Sequence, residues 1–335
     1  MKKLRYVLLV LCFLILAGGM VMAAGGKQAA GTAAETPKIK FKLAENQPKD
    51  NPITISMFRF AESVKQKTNG TVEIEVYPDA QLGNENETID QVQAGTLDFA
   101  RVNTSALAST IGEVALYTLP YIFVSFDHKY KVLDGNIGKT TLAAFDKYNM
   151  IGLEFFESGS RHFYTTKVPV KSLADLKGLK IRVQPSEVAI KMVGLLGAVA
   201  TPMAYGEVFQ GLQTGVIDGA ENDFVSYYTS GHYEVAKYFS LDGHMAPPAV
   251  LLVSKAAFNR LNPSQQQAVR EAAREAAVWQ RQAMNDFQNQ SRKAVEAAGC
   301  TIFDVNVLDF QKAVTDIYDM YPQFKSQIEA IKALQ

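Results

Sequence analysis

Between residues 38 and 103 the hydrophobic pattern changes period four times. Ile39, Phe41 and Leu43 alternate with lysines, the two-residue period of a half-buried strand. From Asn51-Pro52 the spacing lengthens, and Met57, Phe60, Ala61 and Val64 fall on one helical face before Asn69-Gly70 predicts a stop. Thr71 to Tyr77 alternates again. Glu85 to Gly95 carries Ile89 and Val92 at helical spacing, and Leu97 to Val102 reads as a short buried strand. Strand, helix, strand, helix, strand predicts a largely parallel sheet with right-handed crossovers. Ligands of such sheets sit beyond the carboxyl ends of the strands, here Glu45 to Gln47, Asn84 to Glu87 and Arg101 to Ser105.

The aromatic-rich stretch Leu116 to Phe126 is expected to form core or wall, and Phe126 to Tyr148 has the spacing of helices separated by Gly135 and Gly138. Met150 to Phe156 is a further strand running into Ser158-Gly159-Ser160-Arg161, where a second unit begins. Its predicted elements are a turn at Asp175–Gly178, a strand at Leu179–Val183, a helix at Ser186–Leu196 stopped by Gly197, a helix at Glu207–Gln213, and a short strand and turn at Gly215–Ala220. Ala249 to Ser254 is a strand placed to return to the first lobe. Asn262-Pro263-Ser264 opens a helix that nothing interrupts before Gly299, a span of roughly 50 Å at about 1.5 Å per residue. Such a helix either braces both lobes or lies on the surface of one. No stretch repeats at a fixed period. The expected division is lobe I at 37–158 and 248–287, and lobe II at 159–247 and 288–335.

Composition adds little that is specific. A chain of 335 residues exceeds the usual single-domain size, which suits two lobes. Lys plus Arg and Asp plus Glu both total 34, so the formal net charge of zero offers no electrostatic case for nucleic acid or an anionic membrane surface.

The amino terminus is more telling. Lys2, Lys3 and Arg5 precede an apolar run from Tyr6 to Ala17, and Val21-Met22-Ala23 offers a cut near Ala24. This reads as a signal peptide over 1–23 and therefore as a periplasmic protein; a retained membrane anchor is the other reading. The polar, low-complexity segment 24–36 is expected to be a disordered leader. Cys12 lies inside the apolar run and not at the cut, so no lipidated first residue is expected. Cys300 is then the remaining cysteine and forms no intramolecular disulfide.

The sequence lacks a Gly-x-Ser-x-Gly elbow, a P-loop, a Gly-x-Gly-x-x-Gly turn and a His-Glu-x-x-His helix. His128, His162, His232 and His244 are widely separated and lack metal-ligand spacing, so no metal or cofactor is expected. What the chain offers is polar binding groups. Arg161, Arg182, Asn222 and the aromatic Tyr205 all fall at predicted strand ends or turns, the set a small carboxylate needs. Alternation with Ile181 and Val183 would, taken alone, point Arg182 outward from its strand.

The motifs in this stretch are long. They are Gly159-Ser160-Arg161, Asp175-Leu176-Lys177-Gly178-Leu179-Lys180-Ile181-Arg182-Val183, Leu196-Gly197-Ala198, Thr201 through Val208, and Gly211 through Asn222. With Tyr77 through Gly83 and Gln93 through Asp98, they closely resemble the substrate-binding proteins of tripartite ATP-independent periplasmic (TRAP) transporters, over nearly the whole mature chain. The resemblance implies an α/β periplasmic binding protein of two lobes, with crossing hinge strands, a long helix spanning both and the ligand cleft between them. It implies a salt bridge from Arg182 to a ligand carboxylate, further contacts from Arg161, Asn222 and Tyr205, and delivery to a permease of small and large membrane subunits driven by an ion gradient. Glu85, Arg101, Asn103, Glu45, Asn46 and Gln47 fall at first-lobe positions that vary with ligand chemistry. Glu45-Asn46-Gln47-Pro48 with Arg101 resembles the branch that binds sugar acids such as uronates, with acidic and amide groups accepting from ligand hydroxyls. C4-dicarboxylates and other organic acids are the alternatives within the family. Outside it stand a ligand-presenting input to a sensor kinase and an extracytoplasmic sugar-acid enzyme.

Overall fold

A computed structural model describes residues 38–335; the signal peptide expected over 1–23 and the leader expected over 24–36 lie outside the described residues. The described strands are β1 (Ile39–Ala44), β2 (Val72–Tyr77), β3 (Phe99–Asn103), β4 (Met150–Phe156), β5 (Arg161–Thr165), β6 (Lys180–Val183), β7 (Val199–Pro202), β8 (Gly219–Asn222), β9 (Tyr238–Met245), β10 (Ala249–Ser254) and β11 (Thr301–Asp304). They form two sheets, ordered β2-β1-β3-β10-β4 and β11-β9-β5-β8-β6-β7.

In the first sheet β1 lies parallel to both β2 and β3, as the alternating helices and strands require. β10 returns to this sheet and runs antiparallel between β3 and β4. In the second, β6 is parallel to β7 and β8, whereas β5 is antiparallel to β8 and β9. The chain therefore crosses between sheets twice as strand-to-strand connections, at 157–160 from β4 to β5 and at 246–248 from β9 to β10.

The long helix spans Pro263–Ala297, with Asn262 and Gln265 forming a reciprocal capping box and Gly299 at φ +84° just past its end. It packs on the helix Pro52–Lys67 and on β4, then on the helix Phe224–Thr229 beside the second sheet, so it braces both lobes. Its buried stripe is mostly small: Ala272, Ala273, Ala276 and Ala277 let the helix Pro52–Lys67 approach closely. Arg281 and Arg274 hold Asp134 at 2.7 and 3.0 Å, tying the brace to the helix Phe126–Asp134.

Several elements depart from expectation. Gly138 does not separate helices but sits within Asn136–Ala144, where a Cβ would lie 1.9 Å from the Leu133 carbonyl; its role is close approach. The strand expected at 215–220 occupies Gly219–Asn222, because Gly215 at φ +74° ends the preceding helix and the Asp218 carboxylate accepts from Lys180 N at 2.9 Å. The expected turn at 175–178 begins as the helical turn Leu173–Leu176. All five strands of the first sheet fall within 37–158 and 248–287, and all six of the second within 159–247 and 288–335. The last helices touch residues of the first range as well: Tyr318 Oη donates to Pro120 O, and His128 Nε2 bonds Ile331 O, each at 2.8 Å.

Candidate functional site

The carboxyl ends of β1 and β3, the start of the helix Glu85–Ala94, the first crossing and the ends of β6 and β8 converge on one narrow cleft. Asn46, Gln47, Glu85, Arg101 and Asn103 line it from the first lobe, and Arg161, Arg182, Tyr205 and Asn222 from the second. The lobes meet across it. Gln184 Nε2 donates to Glu85 at 3.2 Å, and Asn51 Nδ2 to Thr229 Oγ1 at 3.5 Å.

Arg182 faces inward despite the alternation around it. β6 is flanked by β7 and β8 and both its faces are covered, so period-two alternation carries no inside and outside there. The side chain is 2% exposed. Nε and Nη2 donate to the Met203 carbonyl at 3.0 and 2.7 Å, and the Tyr205 ring lies 5.8 Å from the guanidinium carbon. Nη1 has no hydrogen-bond partner, and no carboxylate pairs with Arg182 among the described residues. Burial lowers its pKa, since a charged group out of water is disfavoured; Glu221 acts in the opposite sense and Arg161 in the same one.

Arg161, by contrast, is paired within the protein. Nε and Nη2 hold the Glu221 carboxylate, the latter at 2.8 Å; Nη2 also donates to Glu221 O at 2.7 Å and Nη1 to Asn222 Oδ1 at 2.8 Å. Behind it His244 bonds Glu221 at 3.4 Å and Asp242 at 2.6 Å. Burial opposes charge on His244, but the two carboxylates outweigh it and raise its pKa to about 9. Burial likewise pushes Glu221 up, and Arg161 and His244 overcome that to hold it at about 2. The result is a buried row of alternating charge that fixes Arg161.

In the first lobe Glu45 does not line the cleft. Arg101 Nε donates to Glu45 Oε2 at 2.7 Å, Nη2 bonds Oε1, and Gln47 N donates to Oε1 at 2.8 Å, so the carboxylate expected to accept from ligand hydroxyls is already engaged. Arg101 Nη2 also reaches Asn46 Oδ1 at 2.5 Å. Glu85 stands at the wall, accepting from Asn103 N at 2.7 Å; burial raises its pKa. The Asn103 amide oxygen caps Ser105 N at 2.9 Å. Tyr205 Oη is held by Ser230 Oγ at 2.5 Å, which presents the ring to the cleft.

Sequence reasoning missed Glu157, Ser158, Gln184 and Asp223, all of which line the cleft. Asp223 carried a signal. It precedes the apolar run Phe224-Val225, and its Oδ1 caps Val225 N and Ser226 N at 2.8 and 3.0 Å. Glu157 Oε2, Ser158 Oγ and Gln184 Oε1 are buried without hydrogen-bond partners among the described residues.

A family model of bacterial extracellular solute-binding proteins, family 7, matches residues 43–327. A TRAP periplasmic solute-binding protein from Xanthobacter autotrophicus, solved with bound β-D-galacturonate, is 42% identical, with a TM-score of 0.86 over 88% of this chain and 100% of that one. One from Chromohalobacter salexigens, solved with bound D-glucuronate, is 39% identical at the same TM-score of 0.86, over 88% of this chain and 100% of that one. A curated solute-binding protein from Chromohalobacter salexigens is 40% identical over 285 residues, 85% of each chain. With two lobes, crossing strands and a polar cleft of this kind, the chain belongs to the bacterial extracellular solute-binding proteins of family 7, the receptors of TRAP transporters.

Proposed function

We propose that the protein is a periplasmic receptor, not an enzyme, which captures a hexuronate such as D-galacturonate or D-glucuronate and delivers it to the small and large membrane subunits of a TRAP permease. The observation that carries this is Arg182, buried without a carboxylate partner among the described residues in a cleft where Glu157 Oε2, Ser158 Oγ and Gln184 Oε1 also lack partners. A buried guanidinium of this kind calls for an anion. Two of the unpartnered atoms, those of Glu157 and Gln184, are pure acceptors, and acceptors call for hydroxyl donors. One carboxylate with several hydroxyls satisfies both. The relatives solved with galacturonate and glucuronate support the same class. A C4-dicarboxylate fits less well, because Glu85, Glu157 and Asp223 add acidic groups to a cleft in which one cation is unpaired among the described residues.

Calorimetric titration of the purified protein with D-galacturonate, D-glucuronate, succinate and malate tests the ligand class. Saturable binding of a uronate and none of the C4 acids is expected; the reverse order refutes the reading. Uptake of labelled uronate by cells carrying the receptor and its permease, lost on deleting the receptor, tests delivery.

A further inference from the structure

Glu157 stands where β4 leaves the first sheet for the second, and almost all of it is tied down. Its Oε1 accepts from Lys129 Nζ and from Gly159 N, each at 2.7 Å. Gln280, at the middle of the long helix, holds its main chain: Gln280 Oε1 accepts from Glu157 N at 2.9 Å, and Nε2 donates to Glu157 O at 2.8 Å. The residue is 3% exposed, yet Oε2 has no partner among the described residues. Tyr130 stands near, its hydroxyl pushed up by burial and then by the Glu157 carboxylate. The carboxylate is thus fixed at one oxygen and at both main-chain groups, with the other oxygen left unengaged among the described residues. Glu157 and Arg182 line the same cleft.

We propose that Glu157 determines specificity, admitting a ligand hydroxyl and excluding a second carboxylate, so that the receptor takes hydroxylated monocarboxylates over the matching dicarboxylates. This rests on the uronate reading above. An ionised carboxylate only accepts hydrogen bonds, so Oε2 is satisfied by an O–H and by nothing on a second carboxylate. The neighbouring cations do not relieve the clash. Lys129 is matched by Glu157 itself, Arg161 by Glu221 and Arg101 by Glu45, which leaves Arg182 for one carboxylate.

The test is a pair of variants titrated calorimetrically with D-galacturonate and with D-galactarate, the diacid of the same sugar, so that each ratio of affinities cancels the difference in ligand shape. Glu157→Gln replaces Oε2 by an amide of the same size. It is expected to weaken galacturonate binding by about tenfold to a hundredfold, the loss of one hydrogen bond to a charged group, while galactarate binding strengthens. Glu157→Asp keeps the charge but withdraws the oxygen, and is expected to weaken galacturonate while still rejecting galactarate. A purely structural role lowers both affinities together and leaves the ratio unchanged. An unchanged ratio in Glu157→Gln, or galactarate undetectable in every protein, overturns this inference alone. A wild-type protein that binds neither acid overturns the uronate reading and this one with it.

Discussion

Replacing Arg182 separates binding from folding more sharply than any other substitution. The guanidinium is 2% exposed and bonds Met203 O through Nε and Nη2, while Nη1 is free to meet a ligand. A fork on a carboxylate makes two charge-assisted bonds of about 1.5–3 kcal/mol each, so Arg182→Met is expected to cost roughly 3–6 kcal/mol of binding, about a hundredfold to ten-thousandfold in Kd. Arg182→Lys keeps the charge but not the fork, and is expected to lose at least half of that energy. Folding responds differently. Removing a buried charge that lacks a counterion is neutral or favourable, against about 1 kcal/mol for leaving the Met203 carbonyl without its donors. The ligand-free melting temperature of Arg182→Met is therefore expected within about 3 °C of wild type. At a hundred times Kd, a uronate adds about 2.7 kcal/mol to wild-type stability, or roughly 5 °C, and this shift vanishes in the variant. Calorimetric titration and scanning calorimetry on the same samples decide the matter. Affinity within twofold of wild type, or a ligand-free melting temperature lower by ten degrees or more, refutes the assignment of Arg182 as the ligand's counterion.

Stability should fall on both sides of neutrality. His244 titrates at about 9 in the folded chain against an ordinary 6.5, so its contribution, of order 3 kcal/mol, is fully present below pH 6.5 and lost as the pH rises through 9. His162 and His232 are depressed by burial to about 4 and about 3, so their contributions are present above pH 6.5 and lost as the pH falls toward those values. Urea midpoints from pH 4 to 10 should show both limbs, and His244→Gln should abolish the alkaline one; a wild-type curve flat from pH 7 to 10 contradicts the charge on His244. Gly159→Ala places a Cβ 2.4 Å from Asp223 Cβ at φ +75°, and is expected to lose about 2–4 kcal/mol of stability, read from urea unfolding. Gln280→Ala strips both main-chain partners from Glu157, for an expected loss of about 2–4 kcal/mol and weaker uronate binding by calorimetry; an unchanged unfolding midpoint speaks against the clamp.

The first lobe was legible because its sheet obeys simple periodicity: β1 and β2 alternate, the connecting helix carries its apolar face at helical spacing, and Gly95 at φ +79° ends the next one. The second lobe showed β6 but hid β5 and β9 for a physical reason. β5 and β9 carry Arg161, Asp242 and His244, and β8 carries Glu221, buried polar groups satisfied by one another across the sheet, so none of these strands shows an apolar alternation. The pairing of Glu45 with Arg101 follows from the sheet register. β1 and β3 pair in parallel with Leu43 opposite Phe99 and Ala44 opposite Ala100, and extending that register by one residue sets Glu45 beside Arg101. Glu157 gave no such signal, since its partners Lys129 and Gln280 lie 28 and 123 positions away and meet it only at the crossing.

The charges around the cleft divide into those that hold shape and the one that attracts. Arg101 and Arg161 each face a buried carboxylate, and their Coulombic pull on a ligand is largely cancelled at short range; what they supply is rigid geometry. Among the described residues Arg182 has no such partner, so closing the lobes over it removes a lone guanidinium from water, at a penalty of several kcal/mol. An anion in the cleft offsets that penalty, and it does so only once the walls have closed around it. A neutral sugar of the same shape relieves nothing at Arg182. Differential affinity for the closed form is what drives a hinge; on the reading proposed above, a carboxylate at Arg182 supplies that difference, and the acceptors of the crossing strand select among the ligands that carry one.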